Sequence, residues 1–175
     1  MLISILLLAV FSFQAHTSPT CLPKSRYSPT YDDCLPVFDV IRHKSRLFSD
    51  LPVTFYAAGT PRPVDTVSYD LPSIFFVRNR SNFCIVQMNV RERAERDHFP
   101  LNWVAIVAED IAEICLKNDL GRRPMGGWDI VGPRQVVEVK VMDVRGMRLQ
   151  WNAIGKGPRN HALNNTLGLD SSADA

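Results

Sequence analysis

Apolar and polar positions alternate along this chain in two different rhythms, and the change from one to the other divides it into elements. Val37, Phe38, Ile41, Leu47 and Phe48 recur near helical spacing and predict a helix from about Asp33 to Phe48. Asp32 or Asp33 is its expected cap, and Pro36 its first-turn proline. Trp103, Ile106, Val107, Ile111, Ile114 and Cys115 form a second apolar stripe, which predicts a helix over Asn102–Asn118. Glu109, Asp110 and Glu113 mark its solvated side, Asn102 is a plausible N-cap and Gly121 follows the end.

The two-residue rhythm is clearest in Phe83–Val90, where Cys84, Val86, Met88 and Val90 share one face, and in Gln135–Val144, where Val137, Val139 and Val141 point inward. Leu51–Tyr56 is rich in strand formers, Ile74–Val77 is a short strand, and Gly126-Gly127-Trp128 leads into another before the Gly132-Pro133 turn. Residues 16–30 read as an extended lead-in, Gly59–Pro72 as a proline-rich loop, and RERAERDH (91–98) as a charged linker. The order of elements does not repeat as strand–helix–strand–helix. It predicts an α+β fold, a two-layer sandwich with two helices packed on one face of a small antiparallel sheet.

The ends of the chain carry different information. Leu2–Phe13 is apolar apart from Ser4 and Ser12. It is too short for a bilayer, which needs roughly 20 residues, but suits the core of a signal peptide. Residues 1–18 are therefore expected to be a signal, cleaved between Ala15 and Ser18, with the mature protein secreted and free of the membrane. Residues 19–151 form a single domain, and 152–175, dominated by Asn, Gly, Ser and Asp, are expected to be a disordered polar tail.

Four cysteines lie beyond the proposed cleavage site: Cys21, Cys34, Cys84 and Cys115. An even number in an exported chain reads as two disulfides, with three connectivities open. Antiparallel helices would bring Cys34, at the start of the first, to Cys115, at the end of the second, leaving Cys21 for Cys84. The tripeptides at Asn79 and Asn164 are acceptor sequences for glycosylation.

Composition narrows the function classes. The 175 residues hold 20 Lys+Arg and 18 Asp+Glu, a net charge of +2, with 46% hydrophobic and 22% charged residues. That balance excludes a polybasic nucleic-acid binder and an unfolded chain. No GxSxG elbow, HExxH pair or phosphate-binding loop occurs, and the cysteine spacings fit no zinc site. Neither a catalytic residue nor a cofactor or metal ligand is expected. His43 and His98 sit in charge-rich segments and read as solvated. A cut after Ala15 would expose His16, which resembles the copper-binding histidine brace of lytic polysaccharide monooxygenases. That family needs a second histidine, here His43, His98 or His161, and a β-sandwich that the helix patterns do not offer.

Asp33-Cys34 opening a helix, Leu71-Pro72 before a strand, Phe83-Cys84-Ile85-Val86, Trp103 heading a helix that ends in Ile114-Cys115, and the closing Gly126-Gly127…Val131-Gly132…Val137-Glu138-Val139 occur together. This combination resembles a group of small secreted four-cysteine proteins of filamentous fungi. More remotely, it is similar to the killer-toxin-like α/β sandwich of fungal effectors. Export, two disulfides, a compact α+β body and the lack of a catalytic signature lead to the expectation of a secreted interaction protein, an effector or toxin-like factor without catalytic activity, monomeric and meeting a host or cell-wall protein or glycan. The alternative is a small secreted hydrolase or polysaccharide-active enzyme whose site is assembled from distant residues.

Overall fold

The computed structural model describes residues 18–23, 28–61, 67–77, 83–91, 96–117, 126–143 and 145. The expected signal, the acceptor residues Asn79 and Asn164, His16, His161 and the polar tail lie outside the described residues. Ten elements follow in order: β1 (Thr20–Cys21), α1 (Tyr31–Leu47), β2 (Pro52–Ala57), β3 (Ser68–Leu71), β4 (Ser73–Phe76), β5 (Cys84–Val90), β6 (Arg96–Pro100), α2 (Asn102–Leu116), β7 (Gly126–Val131) and β8 (Val137–Asp143).

The fold is α+β, but its strands are neither few nor all antiparallel. Five strands form one sheet in the order β1-β7-β8-β5-β4, and three form another in the order β3-β2-β6. All pairs in the larger sheet are antiparallel, whereas β2 and β3 run parallel. Three of these strands fall where the sequence predicts none. β3 lies inside the expected loop, and β6 begins within the expected charged linker. The lead-in contributes β1, two residues paired with β7.

The inward faces follow the two-residue rhythm. Val137, Val139 and Val141 of β8 are buried, and Val86 and Met88 of β5 lie in register with Val141 and Val139. α1 packs on β4 and β5, and α2 on β1, β7 and β8. The two helices run antiparallel: Lys117 beyond the end of α2 lies 5.2 Å from the ring of Tyr31 at the start of α1, while Ser45 in the last turn of α1 meets Asn102 at the start of α2.

The helix starts differ from expectation. Thr30, not Asp32 or Asp33, caps α1; its hydroxyl accepts the Asp33 N–H at 3.1 Å, and the Asp33 carboxylate accepts the Thr30 N–H at 2.7 Å, a reciprocal capping box. Pro36 therefore sits in the second turn of the helix. In α2, Asn102 is the first helical residue, and no side chain of the helix caps it. The buried faces are also rotated from the large-residue stripes. Leu47, Ile106 and Ile114 are exposed, and Ala105, Ala108 and Ala112 are completely covered. Alanine carries little hydrophobic signal, yet it lets α2 approach its neighbours closely.

Antiparallel helices do not bond to each other through cysteine. The disulfides are Cys21–Cys115, with Cα atoms 5.4 Å apart, and Cys34–Cys84, 5.1 Å apart. The expected pairing is overturned, for a reason of side-chain direction. Cys34 and Cys115 are both buried on the sheet-facing sides of their helices. Each therefore reaches the strand beneath it rather than the helix beside it. Among the described residues no cysteine is free.

Candidate functional site

The smaller sheet positions a polar cleft. In β2 and β6, Val53 pairs with Phe99, Thr54 with His98, Phe55 with Asp97 and Tyr56 with Arg96. Successive side chains point to opposite faces. Val53, Phe55 and Phe99 therefore anchor one face in the core, where Phe55 and Phe99 stack with centroids 4.4 Å apart and Trp103 continues the stack at 6.0 Å. Thr54, Arg96 and His98 are carried on the other face by the same alternation. Tyr69 of β3 joins the aromatic cluster at 5.7 Å from Phe55, and burial pushes its phenol up to about 12.

Asp97 breaks the pattern, because it is a carboxylate on the core-facing side and 1% exposed. Its Oδ1 accepts the His98 backbone N–H at 2.9 Å, and its Oδ2 accepts the Arg134 backbone N–H at 3.1 Å. The Val136 N–H also bonds it. Burial is the largest influence and raises the carboxyl above the usual carboxylate range, with these N–H groups and the Arg134 charge opposing it. Gly132 makes the approach possible. Its φ is +94°, and a Cβ there would collide with Asp97 Oδ2 and the Phe99 ring. The turn between β7 and β8 thus docks on the edge of β6, and Arg134 Nη1 donates to the Arg96 carbonyl at 3.1 Å. These contacts occupy a strand edge that would otherwise present unpaired backbone groups.

Above this junction lies a cavity of about 320 Å³ lined by Thr54, Arg96, Asp97, His98, Pro133 and Arg134. Arg96, His98, Pro133 and Arg134 are exposed at its rim, and Thr54 is buried. Thr54 Oγ1 and His98 Nδ1 share a hydrogen bond of 3.0 Å. The Asp97 carboxylate serves backbone N–H groups, so it does not orient the imidazole as the acid of a catalytic triad would. What the cleft offers is a set of donors: two guanidinium groups, a hydroxyl and an imidazole.

The other candidate chemistry has structural partners. Glu109 accepts the Tyr31 hydroxyl at 3.3 Å and pairs with Arg42, so it sits at the seam between the helices and is not simply solvated. Glu113 pairs with Lys117 at 2.9 Å on the exposed face. Lys44 lies 5.3 Å from the centre of the Phe75 ring, and its half-buried ammonium is held below the usual lysine range by burial. His43 is exposed on α1. Among the described residues, no three His, Cys, Asp or Glu side chains converge on one point. No helix among them is long and apolar enough to cross a membrane.

The four predicted cysteines are brought together in pairs, whereas Thr54, Arg96, Asp97 and Arg134 escape the sequence patterns altogether. The trace they leave is slight: Thr54 interrupts an apolar strand, and Asp97 precedes an alternating His98-Phe99-Pro100. The fold and the cleft define a disulfide-braced α+β protein with a donor-rich surface pocket. Compared with known proteins, the chain matches no family model, no curated protein and no solved structure.

Proposed function

We propose that this chain is a secreted, disulfide-stabilised interaction protein that acts outside the cell by recognition and not by turnover. The observation that carries this reading is the bracing: each helix is bonded to a strand, by Cys34–Cys84 and Cys21–Cys115. Disulfides persist in oxidising compartments and each contributes about 2–4 kcal/mol. The apolar Leu2–Phe13 run supports export. In the same reading the helix pair and the larger sheet form a two-layer sandwich, Asn79 and Asn164 carry glycans, and the protein is a monomer. The partner is a host or cell-wall protein or glycan, as in the effector-like proteins of filamentous fungi that the sequence resembles.

The test is expression of the full chain in a eukaryotic secretory host. N-terminal sequencing of the medium protein should start between His16 and Pro19. The purified protein should retain a specific component from extracellular fluid or cell-wall fractions. Retention inside the cells, or turnover of glycans, esters or peptides that is lost in His98→Ala, would sink the reading.

A further inference from the structure

We infer that the cleft between β6 and the β7–β8 turn binds an oxyanion, a sulfate or phosphate ester group, with Arg96, Arg134, His98 and Thr54 as its donors. The inference deepens the reading of this chain as a recognition protein, and it names the chemistry that the partner must display.

Charge is the first argument. Two guanidinium groups stand at the rim, and among the described residues neither forms an ion pair, whereas Arg42 and Arg145 pair with Glu109 and Asp143. Among the described residues, the one carboxylate lining the cleft is that of Asp97, and backbone N–H groups already occupy its oxygens. Among the described lining residues, two positive charges stand against one negative.

Positioning is the second. Arg134 is held by its own backbone N–H on Asp97 and by Nη1 on the Arg96 carbonyl, so its remaining guanidinium edge is oriented in advance. A planar fork of this kind matches the oxygens of a phosphate or sulfate. The cavity of about 320 Å³ lies at the lower end of the range of ligand clefts, about 300–1,000 Å³, which suits an ester group with part of its carrier.

The Thr54–His98 hydrogen bond ties the imidazole to β2 and holds it beside the two guanidinium groups. The groups facing His98 are Thr54 on β2, Arg96 and Asp97 on β6 and Arg134 on the turn; Ser68 stands in its row on β3, and Asp70 in the next row, in register with Tyr56 and Arg96.

The test uses the oxidised full-length secreted protein, labelled with nitrogen-15 and titrated with inorganic sulfate. Saturable shifts are expected at the amides of Thr54, His98 and Arg134. Arg96→Gln with Arg134→Gln should weaken binding about tenfold or more, and Arg46→Gln should leave it unchanged. Because Arg134 also supports the turn, Arg96→Gln alone provides a reading if the double variant fails to fold. A sulfated heparin tetrasaccharide and inositol hexakisphosphate then separate the two sources of the ester, and the tighter binder identifies the class. Shifts scattered over the basic surface, or a double variant that folds and binds like wild type, would overturn the inference. Partner capture by a wild-type protein that does not bind sulfate would overturn this inference alone and leave the interaction reading standing.

Discussion

Ser45 Oγ accepts the backbone N–H of Asn102 at 3.1 Å, so the last turn of α1 supplies the cap that α2 lacks. The first N–H groups of a helix have no partner within it. Usually the residue before the helix provides one, but Leu101 has no side-chain oxygen and is itself completely buried. The two helices are therefore joined by a polar contact at this end as well as by the Tyr31 and Arg42 contacts to Glu109 further along. Ser45, 1% exposed, explains itself by this contact; in an apolar helix face its hydroxyl would otherwise be costly.

Removing that hydroxyl should be felt in α2, not only in α1. Ser45→Ala leaves the Asn102 N–H without its acceptor, a loss of about 1–3 kcal/mol for a buried group. Urea unfolding checks the magnitude, and hydrogen exchange checks the place. Faster exchange is expected at the first amides of α2, and an effect confined to α1 would refute the capping role.

The two disulfides should differ in their resistance to reduction. Cys21 is exposed on a two-residue edge strand, whereas Cys34 and Cys84 are 0% and 1% exposed. Thiol exchange requires the attacking thiolate to reach a sulfur. Mild dithiothreitol followed by alkylation and mass spectrometry should thus find Cys21 and Cys115 labelled first. Peptide mapping without reductant should return Cys21–Cys115 and Cys34–Cys84, and any other connectivity contradicts the fold.

These elements also mark how far local pattern reaches. The helices and the strands around Val86 and Val139 were legible because a long period of buried side chains is written directly into the chain. β3 was not: Ser68–Leu71 is four residues long, half polar and embedded among prolines. β6 was hidden by charge, since Arg96 and His98 take its outward positions and Asp97, on the inward side, carries a charge where an apolar residue is expected. What makes a buried carboxylate tolerable there is a turn 37 residues away, which no window along the sequence contains. The cleft belongs to that same long-range contact, and so shares its invisibility. The disulfide pairing depended on which way each cysteine leaves its helix, and spacing alone does not encode it.

Gly127 should be intolerant of even a methyl group. A Cβ there would lie 2.8 Å from Cys115 Sγ and from Ile111 Cγ2, and 3.0 Å from the Thr20 carbonyl oxygen. It occupies the point where α2, β7 and the Cys21–Cys115 bridge converge, and two of those neighbours are held by a disulfide or by backbone pairing. Gly127→Ala is expected to cost about 1–3 kcal/mol through overpacking. A urea midpoint equal to that of wild type would show that α2 can move away from β7.

Asp97 makes the stability of this protein depend on pH in a direction opposite to that of an ion-paired carboxylate. Burial holds its carboxyl above the ordinary range, so the native state binds this proton more tightly than the unfolded chain does. The resulting contribution is fully present below the unfolded value and is lost as pH rises through the higher native one. Asp97→Asn has nothing to titrate at this position and accepts fewer of the turn's N–H groups, so it should be less stable at every pH. The informative quantity is the difference between wild type and variant, in which the other carboxylates cancel. That difference should widen as the pH falls from 7 toward about 4. Urea midpoints across the range measure it. A gap that stays level or narrows toward acid would show that the three backbone N–H groups, and not burial, govern Asp97.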